Sequence, residues 1–154
     1  MLSVERDAET DPVEQRPGEK TGNAEFRFPN GDSYNGGYRI WPEEKAKSYG
    51  IVRHGDGTYT TSDGDQYTGT WAEDTLDGAV TICFVDGSTF SGTLQDGQYA
   101  GPGRYSFPDG SYFEGTFTCS QISGEGVWMD AHGQEWRGQF ATDKALSLRF
   151  KHNL

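Results

Sequence analysis

Large apolar side chains recur in this chain at fixed offsets around a glycine. Five positions before it stand Phe26, Tyr59, Ile82, Tyr105 and Trp128; three after it stand Tyr34, Tyr67, Phe90, Phe113 and Trp136; seven after it stand Tyr38, Trp71, Leu94, Phe117 and Phe140. Three before it the residues are Phe28, Thr61, Phe84, Phe107 and Asp130. Offsets that differ by two, four or eight place these residues on one face of an extended chain, which predicts strands. Asn30-Gly31, Asp63-Gly64, Asp86-Gly87 and Asp109-Gly110 lie between the two halves of each unit. Such pairs tolerate positive φ and favour tight hairpin turns whose twist matches the strands. His132-Gly133 is a weaker form of the same signal. Each unit is therefore predicted to be a two-stranded hairpin.

The glycines set the period. Fifteen of the 22 fall in three columns: Gly22, Gly55, Gly78, Gly101, Gly124; Gly31, Gly64, Gly87, Gly110, Gly133; and Gly36, Gly69, Gly92, Gly115, Gly138. The steps within each column are 33, 23, 23 and 23 residues. A period of this length means a repeat array in which each unit needs its neighbours to bury its apolar face. Glycine costs stability inside a strand, so the third column needs a reason. It lies between two apolar residues on one face, where a missing Cβ leaves room for a ring and lets the strand bend. Gly37, outside the columns, is predicted to tolerate a side chain. A second glycine at Gly57, Gly103 and Gly126 predicts flexible passage between hairpins, with Ala24 and Val80 as the two departures.

Five repeats span residues 22–140. The first step is ten residues too long, and the excess falls within Arg39–His54, which contains Trp41-Pro-Glu-Glu-Lys-Ala-Lys. Insertions in repeat arrays map to surface loops; Pro42 and two glutamates resemble a short helix start, and Trp41 is open to a contact with a partner. Residues 1–21, acidic with almost no large apolar residue, have the composition of a disordered tail. Residues 141–154 alternate, with Leu146, Leu148 and Phe150 on one face, and predict a charged capping strand that discourages edge-to-edge pairing.

Composition narrows the reading. The hydrophobic fraction is 32% but aromatics alone make up 14%, so apolar content sits in rings that can stack between successive units. A net charge of -11 argues against nucleic acid and anionic membrane, which both reward clustered Lys and Arg; it keeps an extended sheet soluble or attracts a basic partner. Without an apolar leader in the first residues, Cys83 and Cys119 read as unpaired thiols of a cytoplasmic protein, with a disulfide as the alternative.

The template G-x-G-x-Y-x-F-x-D-G-x-x-Y-x-G-x-W, best seen in residues 56–71 and 101–117, resembles the MORN repeat. Gly133-Gln-Glu-Trp-Arg-Gly-Gln-Phe140 and the alternating tail after it resemble the end of a small all-MORN member of that family. The resemblance implies an all-β fold: a single-layer antiparallel sheet of consecutive hairpins, curled into a long groove lined by the repeated aromatics. It also implies non-catalytic scaffolding, frequent in ciliary and flagellar axonemes and other cytoskeletal structures. Some relatives bind an extended or helical partner segment in the groove, and the family name points to a peripheral membrane adaptor as the alternative.

No catalytic constellation emerges. His54, His132 and His152 are scattered, no G-x-S-x-G elbow occurs, and the glycine pairs lack a full dinucleotide fingerprint. Asp63-Gly-Asp65 lacks the ligands of a calcium loop, and two cysteines cannot build a Cys-rich zinc site. No cofactor is expected. The candidate site is a partner-binding aromatic groove of Tyr34, Tyr67, Trp71, Phe90, Phe113, Phe117, Trp136 and Phe140. Its expected occupant is a cytoskeletal or axonemal protein, reached through a basic or amphipathic segment.

Overall fold

Period-2 alternation produces strands at each place where the columns put it. In the computed structural model, which describes residues 19–41 and 50–141 and the backbone of 144–150, the units are five hairpins. They are β1 (Lys20–Arg27) with β2 (Ser33–Ile40), β3 (Ile51–Thr60) with β4 (Gln66–Ala72), β5 (Thr75–Cys83) with β6 (Thr89–Gln95), β7 (Gln98–Ser106) with β8 (Tyr112–Thr118), and β9 (Gln121–Met129) with β10 (Glu135–Ala141). β11 (Lys144–Phe150) pairs with β10, so eleven strands form one open antiparallel sheet in sequence order. No helix occurs among the described residues. β1 begins at Lys20, inside the span expected to be a tail; the rest of that tail and the helix start expected at Pro42 lie outside the described residues.

The hairpin turns differ from the two-residue form the sequence suggested. Phe107 N–H donates to the Ser111 carbonyl (2.8 Å) and Gly110 N–H to the Phe107 carbonyl (3.0 Å), which encloses a three-residue loop, Pro108-Asp109-Gly110. The same pair of bonds closes residues 28–32, 61–65, 84–88 and 130–134. In this geometry a turn is followed by one left-handed residue, so only the glycine needs positive φ (87° at Gly110) and the preceding Asp does not. Two-residue turns do occur, at the joints between units: Glu73-Asp74, Asp96-Gly97 and Cys119-Ser120, with both residues of each at positive φ. Five of those six residues are neither glycine nor asparagine. Cys119→Asn, which places a residue tolerant of φ 49° there, is expected to raise stability by about 0.5 kcal/mol in a denaturant melt.

Registers separate the units from the joints. Within a hairpin the pairing runs unbroken, as in Gly103↔Gly115 and Tyr105↔Phe113. Each joint carries a bulge: β4 and β5 pair Gly69↔Val80 and then Trp71↔Leu76, which leaves two extra residues in β5. A left-handed glycine sits in each of these bulges (Gly55, Gly78, Gly101 and Gly124), and a Cβ there would meet open space. This column is thus required for φ. Gly22 shows the converse: in β1, the first of the described strands, it has no left-handed φ, but a Cβ would lie 2.8 Å from the Tyr38 hydroxyl. The expectation for Gly37 is overturned. It is buried opposite the bulge of β3, and a Cβ would stand 2.2 Å from the His54 carbonyl oxygen.

A one-layer sheet has no second layer to cover its rings, so the rings cover each other. Gly103 and Gly115 pair across strands, as do Gly36 with Gly57 and Gly115 with Gly126. The ring two residues before the third-column glycine lies flat over such a pair: a Cβ on Gly115 or Gly126 would stand 2.7 or 2.6 Å from the Phe113 ring. That ring then meets, edge to face, the ring seven past the middle glycine of the next unit. Tyr34–Trp71 (5.4 Å), Phe90–Phe117 (5.3 Å) and Phe113–Phe140 (4.9 Å) are three instances of one interlock. In the second unit Val80 takes the place of the partner glycine, and Tyr67 is only half-buried.

Candidate protein-docking surface

The eight expected groove rings divide sharply. Tyr34, Trp71, Phe90, Phe113, Phe117 and Phe140 are core residues, each at most 9% exposed, whereas Tyr67 and Trp136 are half-buried. The interlock uses the faces of these rings, so lining a groove with them is corrected to filling a core. Their polar atoms are satisfied inside it: the Tyr34 hydroxyl donates to the Gly37 carbonyl (2.8 Å) and the Trp71 indole to the Gly57 carbonyl (3.1 Å).

Accessible rings come instead from the two columns that precede the middle glycine. Phe28 and Phe107 are exposed; Phe26, Tyr59, Phe84, Tyr105 and Trp128 are partly buried against the core. They lie toward the loop end of the same face. A cavity of about 330 Å³ opens on this face among Phe26, Phe28, Tyr38, Ile51, Arg53 and Tyr59. The larger groove, about 1170 Å³, is on the opposite face and contains none of the expected rings. Pro102, Arg104, Glu114, Thr116, Glu125 and Arg137 line it, over the bare backbone of Gly103, Gly115, Gly126 and Gly138. Arg104 donates through Nε to Glu114 (2.7 Å), and its guanidinium lies 4.2 Å from the Tyr112 ring centre.

One further column escaped the sequence reading because its chemistry is mixed: Arg53, Leu76, Tyr99 and Ile122, 23 residues apart. Tyr99 stacks on Phe90 at 3.8 Å with the planes 11° apart. Arg53 takes the corresponding place in the first joint, its guanidinium 4.3 Å from the Trp71 ring and 5.2 Å from Tyr59. A cation over aromatic faces there does the work of a stacked ring. Asp74 anchors it, accepting from Arg53 N (2.8 Å) and Nε (3.0 Å). At the last full joint Ser120 makes a similar clasp, its Oγ accepting from Tyr99 N at 3.0 Å.

Trp41 is tied into the protein. Its indole donates to Glu73 (3.1 Å), Arg39 sits 5.3 Å over its ring and also bonds Glu73 (2.8 Å), and its amide bonds the Gly50 carbonyl (2.7 Å). The insertion therefore leaves the sheet through a clasped neck.

Carboxylates organise the loops. Asp32 accepts from the Tyr59 hydroxyl and from Ser62 N (2.8 Å), and Asp65 accepts from Val85 N (2.9 Å), so the first loop is tied to the second and the second to the third. Asp86 and Asp109 cap their own loops through the hydroxyl and amide of Ser88 and Ser111, and Asp130 through the amides of His132 and Gln134. These bonds favour the ionised form. The Tyr59 hydroxyl chiefly lowers Asp32, the Ser88 and Ser111 hydroxyls lower Asp86 and Asp109, and the Gln134 amide lowers Asp130, all from an ordinary 3.8. At the other end of the scale, burial pushes the Tyr99 phenol up to about 12.

The two shifts predict a stability plateau with opposite edges. Depressed carboxyls give stability that is fully present above the unfolded value of 3.8 and lost as pH falls through the lower folded values. The raised phenol gives stability fully present below 10 and lost as pH rises through about 12. Melting temperature measured against pH is expected to be flat between these limits and to fall outside both. Tyr99→Phe should weaken the alkaline fall; an unchanged alkaline limb would remove Tyr99 as its cause.

Both cysteines are exposed and unpaired, Cys119 within a joint turn. Among the described residues no group of three or more His, Cys, Asp or Glu is placed to hold a metal.

This geometry matches a known repeat class. The MORN repeat pattern matches residues 18–33, 50–66 and 90–112, in support of a MORN-repeat family for the chain. No catalytic family is indicated by that match. No curated protein matches the chain. Among solved structures, it is similar to the SAS-4 (dCPAP) TCP domain in complex with a Proline Rich Motif of Ana2 (dSTIL) of Drosophila melanogaster. Identity is 15% and the TM-score 0.42, over 99% of this chain and 97% of that one, a likeness too slight to bear on function.

Proposed function

We propose that the chain is a non-catalytic scaffold that binds partner proteins on its ring-bearing face, in a ciliary, flagellar or other cytoskeletal assembly. The observation that carries the scaffold is the uncovered sheet face itself, where Phe28 and Phe107 remain exposed beside half-buried Tyr59, Phe84, Tyr105 and Trp128. Of the eight rings expected to bind, Tyr67 and Trp136 stay accessible enough to take part, while the other six hold the platform rigid. The cytoskeletal setting rests on the family resemblance alone; the domain plan, expected as an acidic tail 1–21, five repeats over 22–140 and a capping segment 141–154, rests on the repeat columns and the resemblance, with the first repeat's strand beginning at Lys20. The likeness of residues 133–140 and the following tail to the C-terminus of MORN repeat-containing protein 2 rests on motif residues alone.

Proximity labelling in a ciliated cell tests this reading. Enrichment of axonemal or other cytoskeletal proteins is the expected result, and their absence from the labelled set would defeat the location. Co-sedimentation with vesicles containing anionic lipid addresses the membrane-adaptor alternative. With a net charge of -11, little pelleting is expected; strong, salt-sensitive pelleting would favour the adaptor.

A further inference from the structure

Phe84, Tyr105, Phe107 and Trp128 form an unbroken row across three units, with successive ring centres 6.2, 5.0 and 5.5 Å apart. None of the four is fully buried, and Phe107 keeps 39% exposure. The loops at its outer side, residues 84–88, 107–111 and 130–134, carry Asp86, Asp109 and Asp130 and no Lys or Arg. With an ordinary value of 3.8 these carboxylates are ionised at neutral pH, and their own loop bonds lower each further. Asp86 and Asp109 stand one residue before the middle glycine, where the fifth unit has His132, and Asp130 stands in the ring column itself; the surface is an apolar strip with an equivalent rim charge on the third and fourth units and an acidic end at the fifth.

The spacing of those charges selects an occupant. Strands in a sheet stand about 4.8 Å apart, so successive two-stranded units present their loops about 10 Å apart. A polyproline-II chain advances about 3.1 Å per residue with three residues per turn, so every third residue faces the same way one such step along. We infer that the row docks an extended partner segment that crosses the strands and carries Lys or Arg at every third position, with apolar residues between. Cations three residues apart meet Asp86 and Asp109, a third reaches Asp130 at the end of the row, and the apolar residues lie on the rings. An Arg stem also covers aromatic surface while its head reaches the rim. The row stops where Thr61 and the buried Ile82 replace accessible rings, which limits the contact to three units and about seven residues of partner. This inference rests on the scaffold reading and deepens it by giving the partner's chemistry.

Fluorescence anisotropy with the full chain tests it. The probe is a labelled peptide, (Arg-Pro-Leu) repeated three times, its prolines keeping it extended. The control has the same composition in blocks, Arg-Arg-Arg-Pro-Pro-Pro-Leu-Leu-Leu. At physiological salt the spaced peptide is expected to bind about tenfold more tightly than the blocked one, since diffuse attraction to an acidic protein does not read spacing. Phe107→Ser should weaken the spaced peptide about tenfold, as should Asp86→Asn combined with Asp109→Asn, which keeps an acceptor in each loop. Circular dichroism melts confirm that each variant is folded; where Phe107→Ser is not, Phe107→Leu, which removes the ring but keeps an apolar side chain, takes its place. Equal binding of the two peptides, no binding, or full binding by the folded variants would overturn the inference. A chain that ignores the peptide but still labels cytoskeletal proteins loses this inference and keeps the scaffold reading.

Discussion

Gly92→Val is expected to destabilise the protein by about 3 kcal/mol, at the upper end of the overpacking range. A Cβ at Gly92 would lie 2.7 Å from Phe90 Cζ, 3.0 Å from Gly103 Cα and 3.1 Å from the Pro102 carbonyl oxygen. The ring has nowhere to retreat, because Tyr99 stacks on it and Phe117 meets its edge at 5.3 Å. The backbone partners are held by β6–β7 pairing on either side, from Ser91↔Arg104 to Thr93↔Ala100. Gly97→Asn makes the control. Its φ of 74° suits asparagine, a Cβ meets nothing within 4 Å, and the cost should be below about 1 kcal/mol. Urea titration of both variants gives the comparison. Equal, mild losses would mean that the third glycine column does not reserve space for a ring.

Phe113→Ala is expected to cost about 3–5 kcal/mol, the range for emptying a buried phenylalanine site. The ring is 1% exposed, covers Gly115 and Gly126, and touches Phe117 and Phe140 at 5.6 and 4.9 Å. Because each unit touches only its neighbours, the damage should be local before it is global. Hydrogen exchange read by mass spectrometry should show β8–β10 losing protection first, while β3–β5 keep theirs. Loss of protection at one rate along the whole sheet would show that the array unfolds as a single cooperative block.

The hairpins were legible because the apolar residues of a strand must alternate, and five units repeat the same offsets. Turn geometry was less so. Asp109-Gly110 fits a two-residue turn and a three-residue loop equally well, and only the Phe107–Ser111 bonds decide between them. The true two-residue turn at Cys119-Ser120 carries no glycine or asparagine, so its left-handed residues leave no mark in the sequence. The glycine columns were visible, yet their causes were not separable. Gly101 is needed for its φ of 66° and Gly115 for the absence of a Cβ, and both read simply as glycine. Among the candidate rings, the offset placed Phe90 and Phe107 on one face. It could not reveal that Phe90 lies over a glycine pair and is sealed while Phe107 stands at the loop end and is open.

Bulges at the joints and unbroken registers within the hairpins make the chain unequally tolerant of added or lost residues. One residue gained inside a hairpin sends every later side chain of that strand to the wrong face. A joint already contains a register jump and a left-handed glycine, so slack added there need not propagate. The ten-residue excess in Arg39–His54 falls in a joint, between β2 and β3. Beyond that excess, Tyr34↔Tyr59 and Gly36↔Gly57 pair just as Phe113↔Trp128 and Gly115↔Gly126 do in a joint of ordinary length. Lineages of this protein can therefore lengthen by whole 23-residue quanta or by loops at the joints, and the hairpins act as indivisible units of inheritance.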